Sequence, residues 1–314
     1  MSDSPKLTVF CVTYNQANYI KQTIESCLAQ ITDFPFELVI GDDGSTDGTT
    51  EICREYAAKF PDKVFHFVRD RRISLTYKYL AQYNVIETCK ACRGKYISVC
   101  EGDDYYEHPH VLQTQADFLD AHPDYGMVHG GISYYFEESK QLSRYAQGRP
   151  NIPQGNIFEE LFYGNFIKNC SICMRVEVLR ILQEMIETVA KWPTSDHMYW
   201  MEACARGYKI GYIDEPLSIY RVHRQSTMNT EQIGKDLKNA QSKYKIRCYF
   251  LKKYGSPYSH DELLSLYLRN ARQIALNYNN SKLAARYERF LDKVMRRIYT
   301  NNEMIFQAND AIWY

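Results

Sequence analysis

Residues 7–49 decide the fold class, and they read LTVFCVTYNQANYIKQTIESCLAQITDFPFELVIGDDGSTDGT. An apolar run of strand length, Leu7–Val12, is followed by Ala17–Ala29, in which apolar residues recur at helical spacing. A second apolar run, Phe36–Ile40, ends in a turn rich in Asp, Gly and Ser, and Asp47 is the expected N-cap of the next helix. This strand–helix–strand–helix order predicts a parallel pair of strands covered by helices.

The same alternation continues through the first half of the chain. Strands are expected at Val64–Val68, Tyr96–Cys100 and Met127–Phe136, with helices at Leu75–Cys92 and Val111–Ala121 between them. Strands that alternate with helices form a largely parallel sheet, and ligands of such sheets bind beyond the carboxyl ends of the strands. The polar clusters of this sequence lie at those ends, so one crevice is expected to gather them.

The second half is less regular, and it ends in helices. The pattern predicts, in order, a loop at Arg144–Gly155, a helix at Asn156–Phe162, a strand at Ile172–Arg175, helices at Val176–Glu187 and Asp196–Arg206, short strands at Ile210–Ile213 and Leu217–Tyr220, and basic helices beyond Thr230. The predicted architecture is therefore α/β. We expect one α/β domain at residues 1–228, with halves at 1–125 and 126–228, and a helical extension at 229–314.

Composition limits the class of protein. The chain has 314 residues, of which 45% are hydrophobic, so a sizeable core is expected. Its formal net charge is zero, and nothing in that balance indicates a nucleic-acid partner. The charge is unevenly distributed, because residues 231–314 carry 15 Lys and Arg against 8 Asp and Glu, whereas the rest carries 23 against 30. This division is typical of an acidic, metal-binding body with a basic, anion-facing tail.

The sequence predicts a cytoplasmic protein. Polar residues 1–6 lead directly into the first strand, unlike a secretory signal, and no apolar stretch reaches the roughly 18 residues that span a bilayer. The ten cysteines are then expected to be reduced. Two Cys-x-x-Cys pairs, Cys89/Cys92 and Cys170/Cys173, leave a four-thiolate zinc site open, although their apolar surroundings favour buried thiols without metal.

The strongest chemical signal is the run Cys100–Tyr105, which reads CEGDDY. Its three carboxylates follow an apolar strand, and they repel one another unless a cation or a proton relieves them. Oxygen-rich sites suit Mg²⁺ or Mn²⁺, which take few protein ligands and complete their shell with diphosphate oxygens and water. Gly102 permits the tight turn. The alternative is an ordinary solvated loop.

A second signal is the turn Asp42–Thr49, which reads DDGSTDGT. An acidic residue at the end of a strand can accept hydrogen bonds from a ribose hydroxyl or a base N–H, and Tyr14 at the end of the first strand can stack on a base. Ordinary turn and capping chemistry is the alternative for this segment.

Four segments together resemble glycosyltransferase family 2 in their letters, order and spacing. They are Val9–Asn15 (VFCVTYN), Asp42–Asp47 (DDGSTD), Gly94–Ile97 (GKYI) and Glu101–Asp104 (EGDD). The resemblance covers about residues 5–125 and is fainter to about residue 228. It implies an inverting enzyme with the A-type glycosyltransferase fold, a Rossmann-like nucleotide-diphospho-sugar transferase with a mostly parallel central sheet flanked by helices. The helical C-terminal extension lies outside the resemblance.

The resemblance implies a role for each matching position. Tyr14 and Asp43 hold the nucleobase, with Thr13 beside them, and Asp103 is the metal carboxylate. Glu101 stands where the family more often has aspartate, and it faces the ribose or a metal-bound water. Asp104 orients the sugar or acts behind the metal ligands. On the helix before the acidic motif, Lys78 reaches the nucleotide.

An inverting displacement also needs a general base, which takes the proton of the acceptor hydroxyl as that oxygen attacks. The segment Trp192–His197 (WPTSDH) resembles the family's acidic pair before a helix, with serine where an acid usually precedes the aspartate. It implies Asp196 as the base. The alternative is that Asp196 only caps the helix, although one residue can serve both purposes.

The segment Tyr220–Ser226 (YRVHRQS) resembles the family's basic segment after the last strand of the sheet. It implies that Arg221, His223 and Arg224 neutralise the departing diphosphate and that His223 also ligates the metal. A solvated basic turn is the alternative for this segment.

The expected activity is transfer of a sugar from a nucleoside diphosphate sugar, of the UDP class, to a hydroxyl of a glycan or a lipid-linked acceptor during assembly of a surface polysaccharide. The tail segment Tyr244–Tyr254 mixes basic and large apolar residues, so peripheral contact with the inner face of a membrane is one interpretation and packing on the catalytic body is the other. Two rival functions remain. A sugar nucleotidyltransferase requires a glycine-rich basic loop where Val12–Ala17 has none, and a non-catalytic nucleotide-sugar binder needs no intact set of carboxylates.

Overall fold

The computed structural model describes residues 4–70, 80–145, 151–189, 195–224 and 232–301. The chain divides into two compact units, each discontinuous in sequence. Unit 1 comprises Met1–Ile157, Ile167–Lys191 and Glu202–Ser226, and unit 2 comprises Phe158–Phe166, Trp192–Met201 and Thr227–Tyr314. The expected division into a catalytic domain and an extension at residue 228 stays a prediction.

Strands and helices alternate along unit 1. Its strands are β1 Leu7–Thr13, β2 Phe36–Asp42, β3 Val64–Val68, β4 Tyr96–Val99, β5 Tyr105–Tyr106, β6 Tyr125–Phe136, β7 Gln141–Ser143, β8 Cys173–Arg175 and β9 Lys209–Val222. The helices among these strands are α1 Ile20–Leu28, α2 Thr49–Lys59, α3 Leu80–Ala91, α4 Val111–Ala121 and α5 Val176–Val189. Helix α6 Ser195–Ala205 begins in unit 2 and ends in unit 1.

Within the described ranges, nine strands form one sheet in the order β3-β2-β1-β4-β8-β6-β9-β5, and β7 pairs with β6. Strand β1 lies inside the sheet, where it pairs in parallel with both β2 and β4. Its residues Leu7, Val9 and Cys11 have no exposed surface. A strand that is covered on both faces needs apolar residues in succession, which explains the mostly apolar run in the sequence. Thr8 interrupts the run, and its buried hydroxyl donates to Glu37.

The direction of the strands decides which loops meet. Strand β8 runs antiparallel to both β4 and β6, so two reversals leave β6 pointing the same way as β4. Strand β9 is parallel to β6. The carboxyl ends of β1, β2, β4, β6 and β9 therefore lie at one edge of the sheet, which we call the carboxyl edge. In such sheets this edge is where ligands bind.

Three details differ from the sequence prediction. Asp47 is not the N-cap of α2, because Gly48 holds that position with φ of 102°, a left-handed conformation that glycine adopts without strain. The expected helix at Asn156–Phe162 is only a short 3₁₀ turn, Glu160–Phe162. The two short strands near residue 213 are one strand, β9, whose pairing with β6 shifts register near Pro216. Proline has no backbone N–H, and it is tolerated there because a residue at a bulge need not donate a hydrogen bond to the neighbouring strand.

Unit 2 contains the C-terminal helices α7 Ile233–Tyr254, α8 His260–Asn277 and α9 Ser281–Asn301. In α7, Ile246 and Phe250 of that basic segment are fully buried, whereas Tyr254 is 41% exposed, and both interpretations of the segment stay predictions. Helix α8 starts with a capping box between Ser259 and Glu262, which satisfies the first free N–H groups of the helix. None of the helices within the described ranges combines the length and the apolar character that a bilayer crossing requires.

Candidate active site

The acidic turn, Glu101–Asp104, lies at the carboxyl edge directly after β4. The N–H of Gly102 donates to the carbonyl oxygen of Val12 at 3.0 Å, and the N–H of Asp104 closes the turn by donating to the carbonyl oxygen of Glu101 at 2.9 Å. The hydroxyl of Thr23, buried in α1, donates to the carbonyl oxygens of Gly102 and Asp104. The turn is thus fixed against the end of β1 and the first helix.

Gly102 is required by space rather than by an unusual backbone angle. A Cβ at this position would come within 2.6 Å of Oγ1 of Thr13 and would also overlap the amide oxygen of Gln16. Those two side chains are themselves joined, because the Thr13 hydroxyl donates to Gln16 at 2.7 Å. The close approach of the acidic turn to the end of β1 therefore needs a residue without a side chain.

The loops after β1 and β2 are joined by hydrogen bonds. Asn15 has φ of 52°, and its side-chain oxygen accepts from the N–H of Thr46 at 2.9 Å. Asp47 accepts from the N–H of Ala17 at 3.0 Å and from the N–H of Thr49 at 3.1 Å. Asp47 therefore serves turn chemistry without being the helix N-cap, and its hydrogen bonds also position the end of β1.

The two neighbouring aspartates at the end of β2 have different surroundings. Asp42 is fully buried, and burial alone would raise the pKa of its carboxyl group. The His66 ring, 3.8 Å away, and hydrogen bonds from Ser45 and Thr50 outweigh that effect and lower the pKa, so Asp42 stays ionised as a structural residue. The N–H of Asp43 donates to the carbonyl oxygen of Thr13 at 3.0 Å, which brings the two predicted nucleotide-binding positions together.

Asp104 is 1% exposed, so it contributes to the site from behind. Its Oδ1 accepts from the backbone N–H of Arg221 in β9 at 2.9 Å. Burial raises the pKa of Asp104 well above its usual value, and the neighbouring charges of Asp103 and Glu101 raise it further. Of the two roles expected for Asp104, this burial supports the one behind the metal ligands.

Asp103 is the carboxylate of the turn that meets the basic segment. Nε2 of His223 lies 3.0 Å from Oδ2 of Asp103, and the His223 ring packs on Tyr19 with centroids 4.7 Å apart. His223 and Arg221 are two residues apart at the end of β9, and such residues point to the same side of a strand. Both reach Asp103, because Nε of Arg221 donates to its carbonyl oxygen at 2.8 Å.

A cavity of about 550 Å³ opens beside this pair. On one side it is lined by the loop after β1, including Asn15 and Tyr19, and on the other by residues that follow β6 and β9, including Glu138, His223 and Arg224. Tyr14, at the end of β1, is 40% exposed, and the Arg224 side chain is 87% exposed with its Nε 2.7 Å from Glu138. The cavity therefore combines polar groups with aromatic surface, as expected for a polar ligand.

Asp196 belongs to unit 2, where it lies in the first turn of α6. Nδ2 of Asn165 donates to its Oδ2 at 2.8 Å. The next residue, His197, is fully buried, and its Nε2 lies 2.7 Å from the carbonyl oxygen of Leu161. These contacts fix the start of α6 to the segment Phe158–Phe166, and the assignment of Asp196 as the general base stays a prediction.

Two other expectations concern lysine and cysteine. Lys78 lies outside the described residues. The ten cysteines are all described, and they are free thiols. In the Cys-x-x-Cys pairs, burial raises the pKa of Cys89 to about 12 and raises that of Cys170 well above its usual value. Within the described ranges, no group of three or more His, Cys, Asp and Glu side chains is arranged to hold a metal ion.

Sequence reasoning missed the residues that hold the site together. In α1, Thr23 is buried and Gln22 is exposed. Glu137 follows β6, and Tyr19 precedes α1. None of them belongs to a recognisable motif. The buried threonine in an otherwise apolar helix face was the one available signal, since a buried hydroxyl requires a partner.

Comparisons with known proteins agree on one family. The family model described as Glycosyl transferase family 2 matches residues 8–182. The chain is 28% identical over 219 residues to Uncharacterized protein Rv1520 of Mycobacterium tuberculosis. This alignment covers 69% of this chain and 59% of the length of that relative. It is 25% identical over 226 residues to the Putative teichuronic acid biosynthesis glycosyltransferase TuaG of Bacillus subtilis, over 71% of this chain and 81% of that one.

A solved structure has a similar fold. It is the crystal structure of S. aureus TarS 1–349 in complex with UDP, with a TM-score of 0.50 and 17% identity over 97% of this chain and 94% of that chain. The predicted fold class is thereby confirmed. Within the described ranges, six of the nine strands point the same way, helices flank the sheet, and a helical C-terminal region follows, as in the A-type glycosyltransferase fold.

Proposed function

Because the chain belongs to glycosyl transferase family 2, we propose that it is an inverting glycosyltransferase, which moves a sugar from a UDP-class nucleoside diphosphate sugar to an acceptor hydroxyl. The observation that carries the proposal is the convergence of the acidic turn, the end of β1, Asp43 and His223 at the carboxyl edge. The solved TarS complex contains UDP, which supports that donor class, and the name of TuaG refers to teichuronic acid biosynthesis, which supports a role in polysaccharide assembly.

The donor would lie across the carboxyl edge. Exposed Tyr14 offers a ring on which a base can stack, and Asp43 is held beside Thr13 at the same strand end. Glu101, next to the metal carboxylate in the turn, is assigned to the ribose or a metal-bound water. Arg224 is exposed and lines the cavity, so it is suited to neutralise a diphosphate.

Asp103 and His223 fit a divalent cation. Their ligand atoms lie 3.0 Å apart, which is about the separation of neighbouring ligands around an octahedral ion with bonds of about 2.1 Å. Mg²⁺ and Mn²⁺ need few protein ligands when diphosphate oxygens and water complete the shell. When bound, such an ion would stabilise negative charge on the leaving diphosphate.

The remaining chemistry belongs to the protein. Asp196 would accept the proton of the acceptor hydroxyl while that oxygen forms a bond to the anomeric carbon. The bond from the anomeric carbon to the diphosphate oxygen breaks on the opposite face, and its electron pair leaves with the nucleoside diphosphate. His223 and Arg224 would reduce the cost of that charge. The acceptor, a glycan or a lipid-linked saccharide, stays part of the proposal.

The test is a panel of nucleoside diphosphate sugars with Mn²⁺, read by nucleotide-induced thermal shift, slow donor hydrolysis and transfer to saccharide acceptors. We expect Asp103→Asn to lower turnover at least about 100-fold. Asp196→Asn is expected to lower transfer by about 10²–10⁴-fold while donor binding persists. The exposed Asp62 lies in the turn before β3, and Asp62→Asn serves as the matched control with unchanged activity.

The outcomes separate the candidate functions. If the wild-type protein responds to no donor, with or without metal, the glycosyltransferase assignment is wrong. Binding of a donor without any turnover would instead favour a non-catalytic nucleotide-sugar binder, and release of diphosphate from a nucleoside triphosphate and a sugar phosphate would favour a nucleotidyltransferase. Full transfer activity in Asp196→Asn would remove that residue as the base.

A further inference from the structure

Arg221 is a buried cation at the carboxyl edge, with 4% of its surface exposed. Each guanidinium nitrogen donates to a different segment of unit 1. Nε donates to the carbonyl oxygen of Asp103 at 2.8 Å, Nη1 to Oε2 of Glu137 at 2.7 Å, and Nη2 to Oε1 of Gln22 at 2.6 Å. One side chain thus joins the acidic turn, the end of β6 and helix α1.

Three aromatic rings surround the same guanidinium. Its carbon lies 5.0 Å from the ring centre of Tyr19, 5.1 Å from that of Tyr105 and 5.5 Å from that of Tyr135. Arginine is stabilised over aromatic faces at such distances, and more so when water is excluded. The rings and the three acceptors together hold the guanidinium in one place.

This environment is unlike that of an anion-binding arginine. A diphosphate that approached Arg221 would have to displace the carbonyl of Asp103, the carboxylate of Glu137 or the amide oxygen of Gln22. It would gain little, because the buried guanidinium already has an acceptor at each nitrogen. Arg224 offers the opposite case, because its side chain is 87% exposed. The phosphate-binding chemistry expected of the basic segment is therefore better supplied by Arg224 than by Arg221.

Arg221 also acts through its backbone and through its strand. Its N–H donates to Oδ1 of the buried Asp104 at 2.9 Å, and His223, two residues further, contacts the carboxylate of Asp103. After the acidic turn, Tyr105 pairs with Ile219 of β9. The end of β9 therefore contacts the backbone and both aspartate side chains of the turn.

We propose that Arg221 is a positioning residue, which fixes the acidic turn in the geometry that places Asp103, and that it does not bind the diphosphate. The expected effect of this geometry on turnover rests on the proposed function. The position of the turn itself is a property of the free protein, so it can be measured without any substrate.

The experiment compares Arg221→Met, Glu137→Leu and the double variant, with Arg224→Met as the matched control. The first readout is hydrogen exchange of the amides of Gly102 and Asp104 in the free protein. We expect exchange at least about 10-fold faster in Arg221→Met, and a smaller increase in Glu137→Leu, because each loosens the turn. Arg224→Met is expected to exchange like the wild type.

The second readout is turnover and its salt dependence. We expect kcat to fall about 10–100-fold in Arg221→Met, as for other residues that orient ligand side chains. Glu137 acts on the turn through Arg221, so the double variant is expected to lose no more than Arg221→Met alone. UDP binding should keep the wild-type salt dependence in Arg221→Met and lose part of it in Arg224→Met.

Three results would overturn the proposal. The first is amide exchange in Arg221→Met equal to that of the wild type, and the second is losses of kcat in Arg221→Met and Glu137→Leu that multiply in the double variant. The third is a weaker salt dependence of UDP binding in Arg221→Met. If Arg221→Met does not fold, faster exchange in Glu137→Leu supports the proposal and unchanged exchange refutes it. A wild-type protein that binds no donor would remove the proposed function, whereas the exchange readout would still judge the role of Arg221.

Discussion

At the scale of single residues, the candidate site depends on a glycine that a motif search treats as a spacer. Gly102 lets the acidic turn lie against Thr13. A Cβ added at position 102 would lie 2.7 Å from the Cβ of Thr13. Neither partner can retreat, since Thr13 is in the central strand β1 and the turn is held by Thr23. The positions of three carboxylates thus follow from one missing side chain.

We therefore expect Gly102→Ala to displace the turn, with about 1–3 kcal/mol lost from the free energy of unfolding and turnover reduced about 100-fold. Urea unfolding and steady-state kinetics measure the two effects. Gly164 has no atom within 4 Å of a new Cβ, so Gly164→Ala is the matched control and should leave both unchanged. Wild-type kinetics in Gly102→Ala would show that the turn tolerates displacement.

His197 makes the stability of the protein sensitive to acid. Burial lowers the pKa of His197 to about 3, and the nearby charge of Arg247 lowers it further. Below pH 6.5 the unfolded chain binds a proton at this histidine that the folded protein does not bind. The contribution of His197 to the free energy of unfolding is therefore complete above pH 6.5 and is lost as the pH falls towards 3. The expected slope is about 1.4 kcal/mol per pH unit for this one group.

The measurement is urea unfolding at pH 7, 6 and 5 for the wild type and His197→Gln. Glutamine keeps a donor for the carbonyl oxygen of Leu161 but does not titrate. We expect the variant to lose about 1.2 kcal/mol less than the wild type between pH 6 and pH 5. Parallel pH profiles for the two proteins would contradict the assignment.

At the scale of elements, one face of α9 carries a stripe of basic residues. Its exposed Lys282, Arg286, Arg289, Lys293 and Arg296 follow one another at spacings of three and four residues, so they form a single stripe. On the other side, Leu291, Val294 and Ile298 pack with Leu268 of α8. Phe290 beside the stripe is 47% exposed. We infer that a membrane contact of this protein, if it is made by the tail, uses α9 rather than the buried apolar face of α7.

This inference predicts binding to vesicles that contain phosphatidylglycerol and weak binding to pure phosphatidylcholine. The triple variant Arg286→Glu, Lys293→Glu and Arg289→Glu should lose at least about 100-fold in affinity, because each basic residue near an anionic surface contributes about 1 kcal/mol. Co-sedimentation at two salt concentrations is the measurement.

A variant with the same change of charge provides the control for that experiment. The exposed basic residues Arg54, Lys59 and Lys90 lie on α2 and α3 in unit 1, and reversing all three should leave vesicle binding unchanged. Equal recovery of the wild type with neutral and anionic vesicles would rule out the stripe as a membrane contact.

At the scale of the whole molecule, acidic and basic residues are unevenly distributed along the chain. The acidic surplus belongs to the part that carries the sheet, and the basic surplus belongs to residues 231–314. Asp103 belongs to unit 1 and Asp196 belongs to unit 2.

The amino-acid sequence by itself determined the β/α alternation, the burial of β1 and the acidic turn after β4. Each of these depends on a few neighbouring residues, since the period of apolar side chains and the hydrogen bonds of a turn are local. The same locality explains one error. Asn156–Phe162 has an acceptable helical pattern, yet only a 3₁₀ turn forms there, because packing outweighs weak local preference.

The tertiary structure alone decided which residues serve the turn. Arg221 donates to the carbonyl oxygen of Asp103, 118 positions earlier in the chain, a contact that no local pattern indicates. That contact exists because two antiparallel pairings return β9 to the direction of β4 and bring its end to the carboxyl edge. A buried donor is satisfied by whichever acceptor the fold brings to it, and this is a property of strand order rather than of neighbouring letters.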